Sequence, residues 1–183
     1  MTKTKKSLTK TPSKFKDMTD LEHIAYAKIV YAIIGAAHEV HNELHYGLSE
    51  AIYEECLCME LRDLGLDAKA QVDLPVYYKG QLLEKRYRLD IVVEEDIIIE
   101  LKAVEEVIAE HRAQLFNYLR ITQKPIGLLI NFGKSVYVEK YFYDAETNDV
   151  DFFRYKMPDN LKLSDIRRLI AEFKGEVVNN YQQ

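Results

Sequence analysis

Residues 88–103 read RLDIVVEEDIIIELKA, two β-rich runs joined by an acidic turn, and they carry Asp90, Glu100 and Lys102 where buried strands ordinarily carry apolar side chains. Strand side chains alternate faces, so Glu100 and Lys102 share one side of the second run while Ile97, Ile99 and Leu101 take the other. In the first run Arg86, Arg88 and Asp90 share a parity opposite to Leu89, Ile91 and Val93. The short acidic turn makes the runs neighbours and sets Asp90 close to Glu100. Two carboxylates in partly buried surroundings repel, and a shared proton or a bound cation relieves the cost. Hard oxygen ligands favour Mg²⁺ or Mn²⁺ over zinc. Such an ion can acidify water and stabilise charge developing on phosphorus, while a neighbouring lysine positions the water or neutralises the transition state. Asp followed by Glu-x-Lys is therefore the minimum set for phosphodiester hydrolysis. Glu-x-Lys alone is an ordinary solvated pair; its context of strand, turn, strand and helix gives it weight.

Outward from this stretch the pattern is mixed. Residues 18–45 repeat apolar side chains at helical spacing, with Thr19 and Glu22 as a capping box; Gly47 breaks the helix, Ser49 caps a second one through Leu64, and Gly65 closes it. QVDLPVYYKG (71–80) and QLLEKRYRLDIVV (81–93) form a hairpin about a Lys-Gly turn, and IIIELKA (97–103) completes an antiparallel meander. Residues 104–121 read as a helix with Val107, Ile108, Leu115 and Leu119 on one face; after Pro125 comes IGLLINF (126–132), a strand of the buried kind. SVYVEKYFYD (135–144) and VDFFRYK (150–156) pair as a hairpin, and LSDIRRLIAEFKG (163–175) reads as a terminal helix capped by Ser164. The fold class is α/β, a mixed central β-sheet flanked by helices.

The 183 residues, 48% hydrophobic, fit one compact domain. The longest apolar runs, such as IVYAIIGAA (29–37), fall short of the roughly 20 residues of a membrane span, and the N-terminus lacks an apolar signal core. A cytoplasmic protein without a membrane partner is expected, its two cysteines, Cys56 and Cys58, reduced. Residues 1–16 carry six lysines and no acid, which leaves the remainder of a chain of net charge −5 strongly acidic. Three segments are expected: a basic arm over 1–17, open to phosphate contacts; a main domain over 18–157; and a helical extension over 158–183 packed on it. His38, His41 and His45 fall roughly on one helix face as a rival metal site that lacks a further ligand, and the tyrosine-rich stretches (Tyr77, Tyr78, Tyr137, Tyr141, Tyr143) can stack on bases or pack sheet faces.

RLDIVVEE and IIIELKA, followed by EHRAQLFNYLR (110–120), resemble the core of the PD-(D/E)xK nuclease superfamily, which has a restriction-endonuclease-like core. They look closest to its small bacterial GxxExxY branch, RecB-like, whose motif stands here as GLSEAIY (47–53); AAHEVHNELHYG (36–47), QVDLPVYYKG and GLLINFG (127–133) extend the likeness over about residues 24–142. The resemblance implies that Asp90 and Glu100 hold the metal, that the Leu101 carbonyl completes its shell, and that Glu50 approaches it or orients its water. It makes Lys102 the catalytic lysine and sets Gln114 and Tyr118, a Q-x-x-x-Y pair, beside the site to hold DNA or the lysine. Leu89 stands where the superfamily name has proline. Arg86 and Arg88 are candidates to grip phosphates. The expected function is a divalent-metal-dependent nuclease acting on DNA, alone, as a homodimer or with a partner protein. The competing reading is a catalytically inactive nuclease-fold module that binds nucleic acid or protein.

Overall fold

The computed structural model describes residues 20–153. The basic arm, the Thr19–Glu22 capping box, the terminal helix with its Ser164 cap and the segment 158–183 lie outside the described residues.

Two helices come first, α1 (Asp20–Leu44) and α2 (Glu50–Asp63), then strands β1 (Ala68–Tyr78), β2 (Gln81–Val93) and β3 (Ile97–Lys102), helix α3 (Ala109–Thr122), and strands β4 (Ile126–Phe132), β5 (Val136–Asp144) and β6 (Asp149–Phe152). The strands form one sheet in chain order, antiparallel throughout except for β3 and β4, which α3 connects in parallel. That one crossover makes the sheet mixed, since parallel neighbours need a long connection.

The sheet separates two apolar layers. On one face α1 and α2 bury Val30, Ile33, Ala37 and Val40, and Tyr53, Leu57 and Leu61, at helical spacing against Ile97, Ile99, Leu101 and Ile130. On the other, Leu115, Tyr118 and Leu119 of α3 pack on Leu89, Val92, Ile98 and Leu129. β3 and β4 are buried along their whole length, as continuous apolar central strands require. Glu100 and Lys102, level with Ile98, therefore sit on the α3 side.

The close approach of α3 to β4 depends on Gly127. A Cβ there would lie 2.8 Å from Leu119 Cδ1 and 3.1 Å from Leu115 Cδ1, both fixed in the core. Gly127→Ala is expected to destabilise the protein by about 1–3 kcal/mol through overpacking, read as a lowered denaturation midpoint at unchanged m-value.

Two elements differ from the sequence pattern. The third helix begins at Ala109 rather than at residue 104, because Asn131 of β4 claims both backbone groups of Val104: its Oδ1 accepts from Val104 N and its Nδ2 donates to Val104 O, each at 3.0 Å. A residue so tied cannot enter a helical ladder, and Ile108, expected on the apolar helix face, stays exposed before the helix. Ser49 stands at the N-cap of α2 with extended backbone, but its side chain makes no capping hydrogen bond.

Candidate active site

The central feature is a strand released from its neighbours at one residue. β2 pairs with β3 from Val93↔Ile97 to Ile91↔Ile99 and no further, so Asp90 does not join Glu100 in the ladder. The Leu101 amide donates instead to Asp90 Oδ2 at 2.7 Å. On the other edge of β2, Gln71 drops out of the β1 ladder with φ +53°. The backbone thus opens where the two carboxylates approach. Burial pushes the Asp90 carboxyl up, against the Leu101 amide and Lys102 that favour its charged form, and Glu50 adds to the rise.

Glu100 is only 1% exposed. Its Oε1 accepts from Lys102 Nζ at 2.5 Å, while its Oε2 is buried with no hydrogen-bond partner. Burial, then the charge of Asp90, pushes the Glu100 carboxyl up to about 7. Lys102 also donates to the Leu101 carbonyl at 2.9 Å. Burial pulls the lysine down, but its bond to Glu100 and the surrounding carboxylates outweigh this and hold it above the usual ammonium range. A buried carboxylate oxygen left bare is costly, and here it lies beside a second acid.

A family model described as the PD-(D/E)XK nuclease superfamily matches residues 27–142. The chain belongs to that superfamily. No curated protein matches it. Among solved structures, the crystal structure of SSO0001 is similar at 16% identity and a TM-score of 0.42, with 91% of this chain and 82% of that one covered. PD-(D/E)XK nucleases generally use divalent metals, and the bare Glu100 Oε2, on a carboxyl that feels the charge of Asp90, fits a hard cation of that kind. Among the described residues no group of three or more His, Cys, Asp or Glu side chains is placed to hold a metal ion.

The residues matched by the superfamily model include GLSEAIY, in which Gly47, Glu50 and Tyr53 have separate physical tasks. Gly47 takes φ +103°, which turns the chain from α1 into α2. Glu50, exposed at the start of α2, accepts from the Ala103 amide at 3.3 Å, one residue past Lys102. Tyr53 is buried, stacks on Phe132 with ring centroids 4.4 Å apart, donates to His45 O at 2.8 Å and accepts from Leu48 N at 3.3 Å. The tyrosine thereby fixes the turn that aims Glu50. Tyr53→Phe keeps the ring and removes two hydrogen bonds to buried or half-buried backbone. We expect a loss of about 1–2 kcal/mol of stability, measured by urea titration.

On the α3 side Gln114 Nε2 donates to Tyr118 OH at 2.9 Å, and the phenol feels the charges of Glu100, Asp90 and Lys102. The structure therefore couples Glu50, Asp90, Glu100, Lys102 and Tyr118 through their charges, with Gln114 bonded to Tyr118. Alternation does not hold along the whole of β2. Leu89 packs in the α3 layer while Ile91 and Val93 pack in the opposite one, because the strand loses its regular pairing at Asp90 and its parity changes there. Arg88 turns to Asp73 across β1, Nε to Oδ1 at 3.2 Å.

Sequence reasoning missed Glu54, one turn after Glu50. Gln71 donates to it at 2.5 Å, and burial with the charges of Asp90 and Glu50 raises its carboxyl despite that bond. An i, i+4 pair of acids on the motif helix was the available signal. The histidine alternative does not assemble: His38 and His45 are exposed, and His41 Nε2 is bonded to the Gly133 carbonyl at 2.9 Å. A cavity of about 470 Å³ is lined by Arg112, Asn131, Lys134 and Tyr137 among others, and none of Glu50, Asp90, Glu100 or Lys102 lines it.

Proposed function

We propose that this protein is a divalent-metal-dependent nuclease of the RecB-like GxxExxY branch, hydrolysing phosphodiester bonds in DNA in the cytoplasm. The observation that carries the reading is the bare, buried Glu100 Oε2 beside Asp90, at the point where β2 and β3 part. Asp90 and Glu100 would hold Mg²⁺ or Mn²⁺, with the Leu101 carbonyl as a further ligand once Lys102 releases it. The cation supplies Lewis acidity toward a phosphoryl oxygen and makes water a stronger nucleophile at neutral pH. Glu50, fixed by the Ala103 amide, orients the attacking water. Lys102, already directed at Glu100, holds its proton and offsets the charge that builds on the phosphate oxygens. Gln114 and Tyr118 line the approach and position the strand, Arg86 and Arg88 supply phosphate contacts from the neighbouring hairpin, and a second copy or partner protein closes around duplex substrates.

The test is cleavage of single-stranded, duplex and branched DNA, and of RNA, with Mg²⁺ or Mn²⁺ against EDTA. Cutting that requires the cation is the expected result. Nucleic-acid binding without cutting, together with no calorimetric cation binding that depends on Glu100, would overturn this reading in favour of an inactive binding module.

A further inference from the structure

Beyond Leu74 and Leu89 no helix among the described residues covers either face of the β1–β2 hairpin. Every residue from Gln81 to Arg88 is exposed, and so are Pro75 and Tyr77 to Gly80. A two-stranded ribbon is marginally stable in water on its own, and apolar side chains on both faces leave it incomplete. Its composition indicates what completes it. Lys79, Lys85 and Arg86 stand against one acid, Glu84, with Arg88 paired to Asp73, in a chain of net charge −5. Among them Tyr77 and Tyr78 are each 62% exposed and Tyr87 47%. A basic segment with interleaved exposed tyrosines on an otherwise acidic protein is complementary to a polyanion with π-faces, whose bases use the rings as well as the charge.

The two faces of the ribbon differ. Leu74 packs in the α3 layer and pairs with Tyr87, whose ring meets Tyr118 edge-on at 5.5 Å. Alternation along β1 sets Tyr78 on that same face and Tyr77 on the other. The pairing irregularity between Pro75 and Tyr77 inserts its extra residues on β2 and leaves the β1 alternation intact. One face thus carries a row of rings, Tyr118, Tyr87 and Tyr78, that starts beside the carboxylates and runs outward. From the level of Leu74 to Tyr78 is about 13 Å, close to four stacked nucleotides at about 3.4 Å each. Lys79 Nζ lies 5.4 Å from the centre of the Tyr78 ring, at the outer end of the row.

We propose that this face of the ribbon is a docking track for an unpaired nucleic-acid strand. Bases stack on Tyr78 and Tyr87, Lys79 and Lys85 meet the phosphates, and the strand is led past Tyr118 to the carboxylates. The proposal rests on the nuclease reading above and adds to it the substrate form, a single strand or frayed end, because stacking on a ring needs a base outside the duplex.

The test is fluorescence anisotropy in EDTA with labelled oligo-dT, oligo-U and a duplex of equal length. Tyr78→Ala and Tyr87→Ala are expected to weaken single-strand binding at least about tenfold each. Tyr78→Phe, which keeps the ring, retains it, and Tyr77→Ala, on the opposite face, changes it less than about twofold. Lys79→Ala with Lys85→Ala is expected to flatten the salt dependence by about 0.7 for each phosphate no longer neutralised. Oligo-dT against oligo-U reports whether DNA or RNA is preferred. Mn²⁺-induced thermal stabilisation, unchanged in every ribbon variant, verifies that the fold and the carboxylates are intact. If the wild type binds and cuts nucleic acid while Tyr78→Ala binds as well as wild type, the track is wrong and the nuclease reading stands. If the wild type neither binds nor cuts, the nuclease reading fails first. A wild-type dimer in sedimentation that Tyr78→Ala converts to monomer, with strand affinity unaltered, would show that a second copy covers the ribbon and would overturn the track.

Discussion

Glu100→Gln is expected to abolish metal-dependent cleavage and, in the same protein, to stabilise the metal-free fold. The loss of activity should reach at least about a thousandfold, because removing one charged ligand forfeits a Lewis-acid contribution of several kcal/mol. The gain in stability follows from the buried carboxyl. Its value is raised from 4.5 to about 7 by burial and by Asp90. A carboxyl raised on folding binds its proton more tightly in the folded state, so its contribution is most favourable below about pH 4.5 and is lost as pH rises through about 7. In EDTA above about pH 8 the ionised Glu100 therefore costs the fold on the order of 3 kcal/mol at most, at about 1.4 kcal/mol per pH unit. Gln carries no charge, and its Oε1 still accepts from Lys102, so most of that cost disappears. The expected measurement is a urea midpoint higher than wild type by about 1–3 kcal/mol at high pH, with the difference closing toward pH 5. Added Mn²⁺ should reverse the order, because a cation held by Asp90 and Glu100 stabilises only the wild type. A wild-type protein more stable than Glu100→Gln in EDTA at every pH would show that the carboxylate is satisfied by a structural role.

The β-meander, both apolar layers and the acid–lysine constellation were legible in the sequence because each rests on local periodicity. Glu100 and Lys102 break the apolar run of a buried strand on one parity, and Ile97, Ile99 and Leu101 keep it on the other; alternation alone assigns their faces. The same rule failed between Leu89 and Ile91, which pack in opposite layers although alternation gives them one face. Asp90 is where pairing ends on one side and Gln71 leaves it on the other. The late start of α3 was illegible for a related reason: Val104 to Ile108 have helical composition, and the group that holds them out of the helix, Asn131, comes from a strand 27 residues later. Long-range side chain to backbone bonds leave no periodic trace. Tyr53 belongs to an intermediate case, where the motif GLSEAIY marks the position but only the stacking on Phe132 and the bond to His45 show that its work is to hold a turn.

The second large effect is expected at a site that no pattern announced. Arg112, in the second turn of α3, forks onto Glu139 of β5: Nε donates to Oε2 at 2.8 Å and Nη2 to Oε1 at 2.6 Å. Tyr137 and Tyr141 donate to the same carboxylate at 2.8 and 2.6 Å. Glu139 is 7% exposed, yet its carboxyl lies below the usual carboxylate range, because burial, which raises it, is outweighed by the guanidinium and the two phenols. Arg112→Ala leaves that carboxylate buried with only neutral donors. Removing one partner of a buried pair costs more than the pair contributes, so we expect a loss of about 2–4 kcal/mol at neutral pH, the lower part of the range because Arg112 is partly solvated. Glu139→Gln, which removes the charge together with the need for a counter-ion, should cost less. The pH dependence separates this account from simple loss of packing. A carboxyl lowered on folding contributes stability above about pH 4.5 and loses it as pH falls through its folded value, so the gap between wild type and Arg112→Ala should narrow steadily below about pH 4.5. A gap independent of pH would assign the effect to the arginine's aliphatic stem. The network also bears on the site, because Gln114 and Tyr118 follow Arg112 by two and six residues on the same helix, which the Arg112–Glu139 pair ties to β5, and Tyr118 feels the charges of Glu100 and Asp90. Arg112→Ala should therefore weaken strand binding at temperatures where the protein is still folded, while Mn²⁺ binding at Asp90 and Glu100, which lie on β2 and β3, persists.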